Sequence, residues 1–559
     1  MMMWHAPEGN RLLGLLLLVI ALAAPVQGLR TVQAEEGVFA LSLRYREPVQ
    51  PQVDRYHTLQ RNERWDATAT AVIVCDMWDS HHSLNAVRRA QEMAPRMNRF
   101  LKTARRQGAL IIHAPSGCMQ PYQQHPGRLR ARDAPTAENL PDDIGRWCHR
   151  IPAEEQGVYP IDQSDGGVDD DPQQLARWHE ELVEIGRNPR APWTRQMDEL
   201  EIRDQDAISD SGVEIWNLME QHGIRHVMLL GVHTNMCVLG RPFGLRQMAI
   251  HGKQVVLVRD LTDTMYNPQR WPYVNHFSGT DLIVEHIEKY VCPTITSDQL
   301  LGGQPFRFRA DVRKHVALVM AEDEYQTEVT LTEWARRHLQ RDFRVSFYYE
   351  DAEDPQQIPG IESLNQADVA VISVRRRALP QAQLDAFRRF VDEGKPIVAL
   401  RTSSHAFALR TGQPPDGHDV WPEFDRDVLG GNYQGHHGSQ SADDPENCVW
   451  VVPASRDHPI VQGWAEGEVS VHSWLYKTSP LGPKTQTLMM GRAGDRQPHE
   501  PVAWTNTHSG GGRVFYTSLG HPEEFAMALF RRLLVHGVYW AVGQPIPDEW
   551  PDTQRRSDE

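Results

Sequence analysis

Residues 227–238 read VMLLGVHTNMCV: an apolar run ends in a tight polar turn that delivers one cysteine, Cys237, to a helix expected over about 238–250. A buried strand that passes through a turn into a helix belongs to an α/β unit, whose parallel strands are covered by helices on both faces. Upstream the alternation repeats. AVIVC from Ala71 is a buried-strand run, and Val87, Ala90, Met93, Met97, Phe100, Leu101 and Ala104 recur at spacings of three and four, as on an amphipathic helix. ALIIHAP from Ala109 supplies the next strand. The turn also carries chemistry. Backbone N–H groups left free after the strand, together with the positive end of the following helix, favour a thiolate at Cys237. A small buried hydrophobe is the plain alternative for an unpaired cysteine.

A second alternating series begins near His315. HVALVM, RVSFYYE, VAVISV and PIVAL are strand runs separated by helical stretches at 328–339 and 381–393, followed by GRVFYTSLG and a helix over about 523–542. The expected fold class is therefore α/β, with two three-layer α/β/α domains, each built on a mostly parallel sheet. The divisions are a signal peptide at 1–28, an N-terminal arm or short hairpin at 29–66, a first domain at 67–295, a linker at 296–310, a second domain at 311–543 and a polar tail at 544–559. A chain of 559 residues with 40% hydrophobic and 24% charged composition suits two substantial cores.

Residues 12–24, LLGLLLLVIALAA, follow Arg11 and precede PVQG, the pattern of a secretory leader. The run is shorter than the roughly 20 apolar residues needed to span a bilayer. An exported protein is expected, periplasmic or extracellular, with an uncleaved anchor as the alternative. A net charge of −16 argues against nucleic acid and anionic membrane as partners, since both require concentrated positive charge. Six cysteines in so long a chain make no disulfide framework. With Cys75 in a strand and Cys237 in the turn, Cys118, Cys148, Cys292 and Cys448 are left either to pair or to stay reduced.

Between 118 and 192 the periodicity stops, in an insertion rich in Pro, Gly, Asp and Arg that reads as a lid or mobile loop. Its acidic run at 169–171 is expected to be a solvated turn, because it lacks the alternating ligand spacing of a calcium loop.

Three motifs in order, AVIVCDMWD with Asp76, GVHTNMCV with Cys237 and VVLVRDLTDTMY with Asp260 closing its strand, give residues 65–295 a resemblance to the isochorismatase-like cysteine hydrolases, which include nicotinamidases and carbamoylases. The resemblance implies acyl transfer by an Asp, Lys and Cys triad. Asp76 and Cys237 match two members: Asp76 would take the Cys237 proton and later activate water. The region expected to hold the lysine, MDELEIRDQDAISDSGVEIWNLM, contains none. Arg203 stands nearest and can act only as a fixed charge, since guanidinium does not deprotonate in proteins; a surface arginine paired with Asp204 or Asp206 is the other reading. His233 and Cys237 bracket a turn whose amides would hold the oxyanion, and the resemblance implies a non-proline cis bond at Val232–His233. Trp78, His81, His113 and Tyr266 are expected in the substrate pocket, with Trp271 and Tyr273 as further aromatic walls. Asp79, His81, His82 and His113 are of the types that ligate a divalent metal, although the histidines that nicotinamidases bring after the second strand are not reproduced in HAPSGCMQPY.

DVLGGNYQGHHG, HEPVAW and GRVFYTSLGHPEEF resemble the ThuA-like (trehalose-utilisation) family, related in fold to class I glutamine amidotransferases. Where those amidotransferases carry a cysteine nucleophile, this chain reads IVALRTSSHAF, so Ser403 or Ser404 with His405 would be the mimic, without the glycines of a nucleophile elbow. His405, His436, His437, His472 and His521 are residues that can gather around a ligand or metal.

The resulting expectation is an exported cysteine hydrolase that cleaves a C–N bond of a small amide or carbamoyl-type substrate through a thioester. The alternative is a non-catalytic or carbohydrate-related binding protein that keeps both folds. No cofactor is required; a divalent metal in the first domain and self-association through that domain both stay open.

Overall fold

The computed structural model describes residues 36–437 and 446–547. The expected signal peptide and most of the expected polar tail lie outside the described residues. Two large sheets organise the chain. The first is formed by β1 (Val38–Pro48), β2 (Tyr56–Asp66), β3 (Thr70–Cys75), β4 (Leu110–Ala114), β5 (Ala207–Ile208), β6 (His226–Val232), β7 (Gln254–Asp263) and β8 (Thr294–Ile295), in the order β2-β1-β8-β7-β6-β3-β4-β5. From β8 to β5 every pairing is parallel. The arm is a long antiparallel hairpin, β1 with β2, joined to the sheet through an antiparallel contact of Arg44 with Thr294.

β3 and β6 lie at the centre of this sheet and are buried throughout. Their alternate residues point to opposite faces, which is why they read as continuous apolar runs. Ile73, Cys75, Val227 and Leu229 pack with the helices Gly212–Gln221, Leu245–Ile250 and His276–Tyr290, whereas Val72, Val74, Met228 and Leu230 pack with the helix Leu84–Gln107. That last helix is capped by the Ser83 hydroxyl, which accepts from Ala86 N–H, and is stopped by Gly108 at φ +109°.

The second sheet comprises β9 (Lys314–Ala321), β10 (Phe343–Tyr349), β11 (Val369–Val374), β13 (Ile397–Leu400), β15 (Asn447–Val451), β16 (Val469–Val471), β17 (Gln486–Ala493), β18 (Glu500–Thr507) and β19 (Arg513–Thr517); β12 (Leu379–Pro380) and β14 (His418–Asp419) pair apart from it. Its order is β10-β9-β11-β13-β19-β18-β17-β15-β16. The half from β10 to β19 is parallel and the half from β19 to β16 antiparallel, so this sheet is mixed and less parallel than the sequence predicts. Helices Thr327–His338 and Ala528–Ala541 cover one face and Gln381–Asp392 the other.

Three expectations change. The insertion is ordered, with helices Pro126–Arg132 and Pro172–Glu184 folded against the first unit. Its acidic run is not a solvated turn: Asp169 pairs with Arg89 at 2.8 Å, Asp170 accepts from Asn85 N–H, and Asp171 caps the helix Pro172–Glu184. Asp260 does not close its strand, because β7 continues to Asp263; its carboxylate instead accepts from Ser297 and Phe306 and anchors the linker. All six cysteines are unpaired. Among the described residues no helix is long and apolar enough to cross a membrane.

Candidate active site

Adjacent strands β3 and β6 bring the two halves of the site together. Cys75 pairs with Gly231, and each chain leaves the sheet just beyond. Gly231 sits at φ +112°, and a Cβ there would collide with the Cys75 carbonyl oxygen, so glycine is required where the two strands part. Asp76 follows β3 at φ +47°, a strained left-handed position for a non-glycine residue. The Val232–His233 peptide bond is cis. The turn beyond it is clamped on several sides. Thr234 and Thr262 share a hydroxyl hydrogen bond at 2.7 Å, the Asn235 amide bonds both N–H and carbonyl of Met265, and Tyr159 donates to the Asn235 carbonyl.

Asp76 is fully buried. Its Oδ1 accepts the Ser116 N–H at 2.8 Å; its Oδ2 accepts Arg241 Nε and Nη2, both at 3.0 Å. The Cys237 thiol lies close enough to this carboxylate for the two groups to act on each other. Burial raises the Asp76 pKa above its ordinary value, with Arg241, the thiol and the Ser116 amide acting against that rise. Burial, then the Asp76 charge, push the Cys237 thiol well up, with Arg241 opposing. Both effects favour a thiol over a thiolate beside this carboxylate. The thiolate expected from the turn alone is overruled by desolvation.

Arg241 is the cation of this site. Its backbone N–H donates to the Cys237 carbonyl at 3.0 Å, one turn on, and its guanidinium reaches Asp76. Trp147 from the insertion lies 5.1 Å from that guanidinium. Arg203 does not fill the role. Its side chain is 55% exposed and pairs with Glu201 at 2.5 Å. In that segment the buried acid is Asp206, which accepts from Arg105, His113 and the Arg203 amide. The spacing from Cys237 to Arg241, i to i+4 on one helical face, is the sequence signal that points to the right arginine.

A cavity of about 590 Å³ opens onto Cys237. Its walls are Trp147, His149, Arg150, Glu154 and Tyr159 of the insertion, with Asn235, Arg246 and His286. Glu154 is buried and saturated: it accepts from Arg246 at 2.7 and 2.8 Å, from His286 at 2.8 Å and from the Ile151 amide. Burial alone would raise its pKa, but His286 and Arg246 hold it down at about 2.

The predicted pocket residues do not line this cavity. Trp78 stacks on Trp193 at 4.4 Å and donates to the Ser116 carbonyl. His81 packs in the same aromatic group, 4.9 Å from His233. His113 lies buried between Gln196 and Asp206, and the buried Tyr266 spends its hydroxyl on Arg270 and Val274. The large rings were claimed by the core, while the walls came from an insertion without periodicity. Nor do the metal-type residues converge. Asp79 is held by Arg187 and Thr194, and among the described residues no group of three or more His, Cys, Asp or Glu is placed to hold a metal ion. His233 is buried with neither ring nitrogen partnered, and burial lowers its pKa to about 4.

In the second unit the strained position after β13 is held by Arg401, at φ +42°, rather than by a serine. Ser403 donates to the Ile372 carbonyl; Ser404 lies 3.1 Å from His405 Nδ1 and bonds the Arg401 carbonyl. Burial, reinforced by Arg376, Arg375, Arg401 and Arg410, lowers the His405 pKa to about 3, which makes it a poor base. The five histidines do not gather at one place: His405 stacks on Tyr433, His436 is tilted against Trp474, His437 meets Glu500, and His472 and His521 stand together beside Glu523.

The family model described as ThuA, trehalose utilisation, matches residues 315–541, which form a ThuA-like domain. Similar solved structures include a ThuA-like protein from Parabacteroides merdae ATCC 43184, 18% identical over 44% of this chain and 100% of that one with a TM-score of 0.32. A ThuA-like protein from Bacteroides uniformis ATCC 8492 is 16% identical over 43% of this chain and 95% of that one, with a TM-score of 0.32. A cysteine hydrolase from Pseudomonas syringae pv. phaseolicola 1448A is 14% identical over 42% of this chain and 92% of that one, with a TM-score of 0.26. No curated protein sequence matches the chain.

Proposed function

We propose that the first unit is an isochorismatase-like cysteine hydrolase that cleaves a C–N bond of a small amide or carbamoyl-type substrate. The observation that carries this reading is the Cys237–Asp76–Arg241 array, in which a buried carboxylate paired with a guanidinium stands beside a buried thiol. The Cys237 proton passes to Asp76 as sulfur attacks the carbonyl carbon, and the carbonyl electrons move onto oxygen. Collapse of the tetrahedral species expels the nitrogen, which takes the proton from Asp76, and leaves a thioester. Asp76 then accepts a proton from water as its oxygen attacks; expulsion of the sulfur, reprotonated by Asp76, releases the acid and restores the thiol. Arg241 acts as a fixed charge throughout. It steadies Asp76 as an anion and offsets negative charge on the acyl oxygen, where each such donor typically contributes about 2.7–4 kcal/mol.

The cavity volume suits a small molecule, and Trp147, Tyr159, Arg150 and Arg246 give it both aromatic and cationic faces. An exported location remains part of this reading; amino-terminal sequencing of protein recovered from the medium or periplasm, starting near Leu29, supports it. Screening a panel of amides, ureas and N-carbamoyl compounds tests the chemistry. Turnover abolished in Cys237→Ala supports the assignment, and a confirmed substrate hydrolysed equally well by Cys237→Ala overturns it. The second reading, a binding protein with both folds kept, is favoured by the raised thiol pKa; saturable ligand binding with no acyl-enzyme trapped in mass spectra is its signature.

A further inference from the structure

Where the two sheet-bearing units meet, a separate cavity of about 1270 Å³ lies between β1 and β7 on one side and the start of β10 on the other. Six arginines line it together with five acidic residues, and the pairing among them is uneven. Arg44 pairs with Glu288 at 2.7 Å, and Arg313 with Asp311 at 2.7 Å and Asp281 at 3.0 Å. Arg259 and Arg344 have no such partner. The side chain of Arg259 meets the Thr294 hydroxyl at 3.1 Å, and the side chain of Arg344 has neither ion pair nor hydrogen bond among the described residues, Asp281 acting on it only at longer range. Burial, followed by repulsion from Arg44, lowers the Arg259 pKa to about 9, and burial lowers that of Arg344. Because guanidinium stays protonated in proteins, both keep their charge, offset in part by Glu288 and Asp260 at Arg259 and by Asp281 and Asp311 at Arg344. Next to Arg344 in the sheet, His315 is held neutral down to about 3 by burial and by Arg344.

Two further features point to an occupant. The Thr280 hydroxyl lines the cavity, buried and without a partner. The cavity also has aromatic lining, with Phe277 stacked on Phe308 at 5.5 Å and Phe306 edge-on to Phe308 at 5.0 Å. We propose that this cavity binds a small organic polyanion with a flat apolar body, its phosphate or carboxylates bridging Arg259 of the first unit and Arg344 of the second. Charge-assisted hydrogen bonds from guanidinium to such groups are among the stronger polar contacts available to a protein. The site is distinct from the Cys237 cavity and does not depend on the hydrolase reading.

The test is calorimetric titration of the full chain with 1-naphthyl phosphate, with benzene-1,3,5-tricarboxylate and with neutral 1-naphthol. Saturable binding of one or both anions, with none for naphthol, is expected, and which anion binds separates phosphate from carboxylate recognition. Arg259→Gln or Arg344→Gln should weaken binding at least about ten-fold. Should either variant lose its native circular dichroism, Arg259→Lys and Arg344→Lys, which keep the charge but lose the fork, give an intermediate weakening instead. Binding of neither anion, equal binding of naphthol, or unchanged affinity in the folded arginine variants overturns the proposal.

Discussion

Arg241 donates both Nε and Nη2 to a single oxygen of Asp76, at 3.0 Å each, while the other oxygen is held by the Ser116 amide. The carboxylate thus keeps a cation without a lysine, and the cation comes from downstream of the nucleophile. Removing it leaves a fully buried carboxylate unpaired. Arg241→Ala should therefore cost about 3 kcal/mol in unfolding free energy and raise the Asp76 pKa further. Arg203→Ala should change stability by less than about 0.5 kcal/mol, as exposed substitutions do. Denaturant unfolding of the two variants side by side checks the contrast, and equal effects would remove Arg241 from the site.

Cys237 and Asp76 oppose one another at rest. Alkylation of Cys237 by iodoacetamide should be slow at pH 7 and accelerate with pH, since burial and the Asp76 charge both raise its pKa. Asp76→Asn removes that charge and leaves Arg241 facing the sulfur. Alkylation should become faster in this variant while turnover of any substrate disappears, because the base is gone. Mass spectrometry of the labelled thiol alongside activity reads both; slower alkylation in Asp76→Asn would refute the pairing.

Glu154 gives the cavity wall an acid limit. Its carboxylate is held at about 2, below the ordinary 4.5, by His286 and Arg246 against burial. Since the folded pKa is the lower one, the stabilisation is complete above about 4.5 and is lost as pH falls from there toward 2. Arg246→Ala should narrow this window and move the midpoint of acid unfolding to higher pH, measured by circular dichroism. An unchanged midpoint would show that Glu154 does not stabilise the insertion.

The central strands were legible in the sequence because continuous apolar runs such as AVIVC and VMLLGV have one good use, as strands buried on both faces. Asp76 and Cys237 were legible because each ends such a run. Arg241 was not, because its role depends on a side chain folding back one helical turn, while Arg203 looked apt only from its place along the chain. The cavity walls were hidden for a different reason: Trp147, Glu154 and Tyr159 lie in a segment with no periodicity, ordered by ion pairs such as Glu154 with Arg246 that bridge more than 90 positions. Trp78 and Tyr266 show the converse, aromatic residues next to motifs that the core absorbed. The antiparallel half of the second sheet escaped notice because antiparallel and parallel strands share the same local pattern.

Asp425 supplies a neutral-pH prediction for the ThuA-like domain. It is buried, its Oδ1 has no hydrogen-bond partner and its Oδ2 accepts only the Tyr433 amide, so burial raises its pKa to about 7 against that amide's opposing pull. The folded pKa lies above the ordinary 3.8, so the contribution to stability is complete below about 3.8, declines as pH rises and is fully lost once pH passes about 7. Asp425→Asn keeps the shape and cannot ionise. Its unfolding free energy relative to the native chain should climb from pH 4 to 7 and stay level above, as read from urea midpoints at a series of pH values. A difference that does not vary with pH would mean that Asp425 is ionised in the fold at every pH tested, and that its unpaired oxygen is solvated.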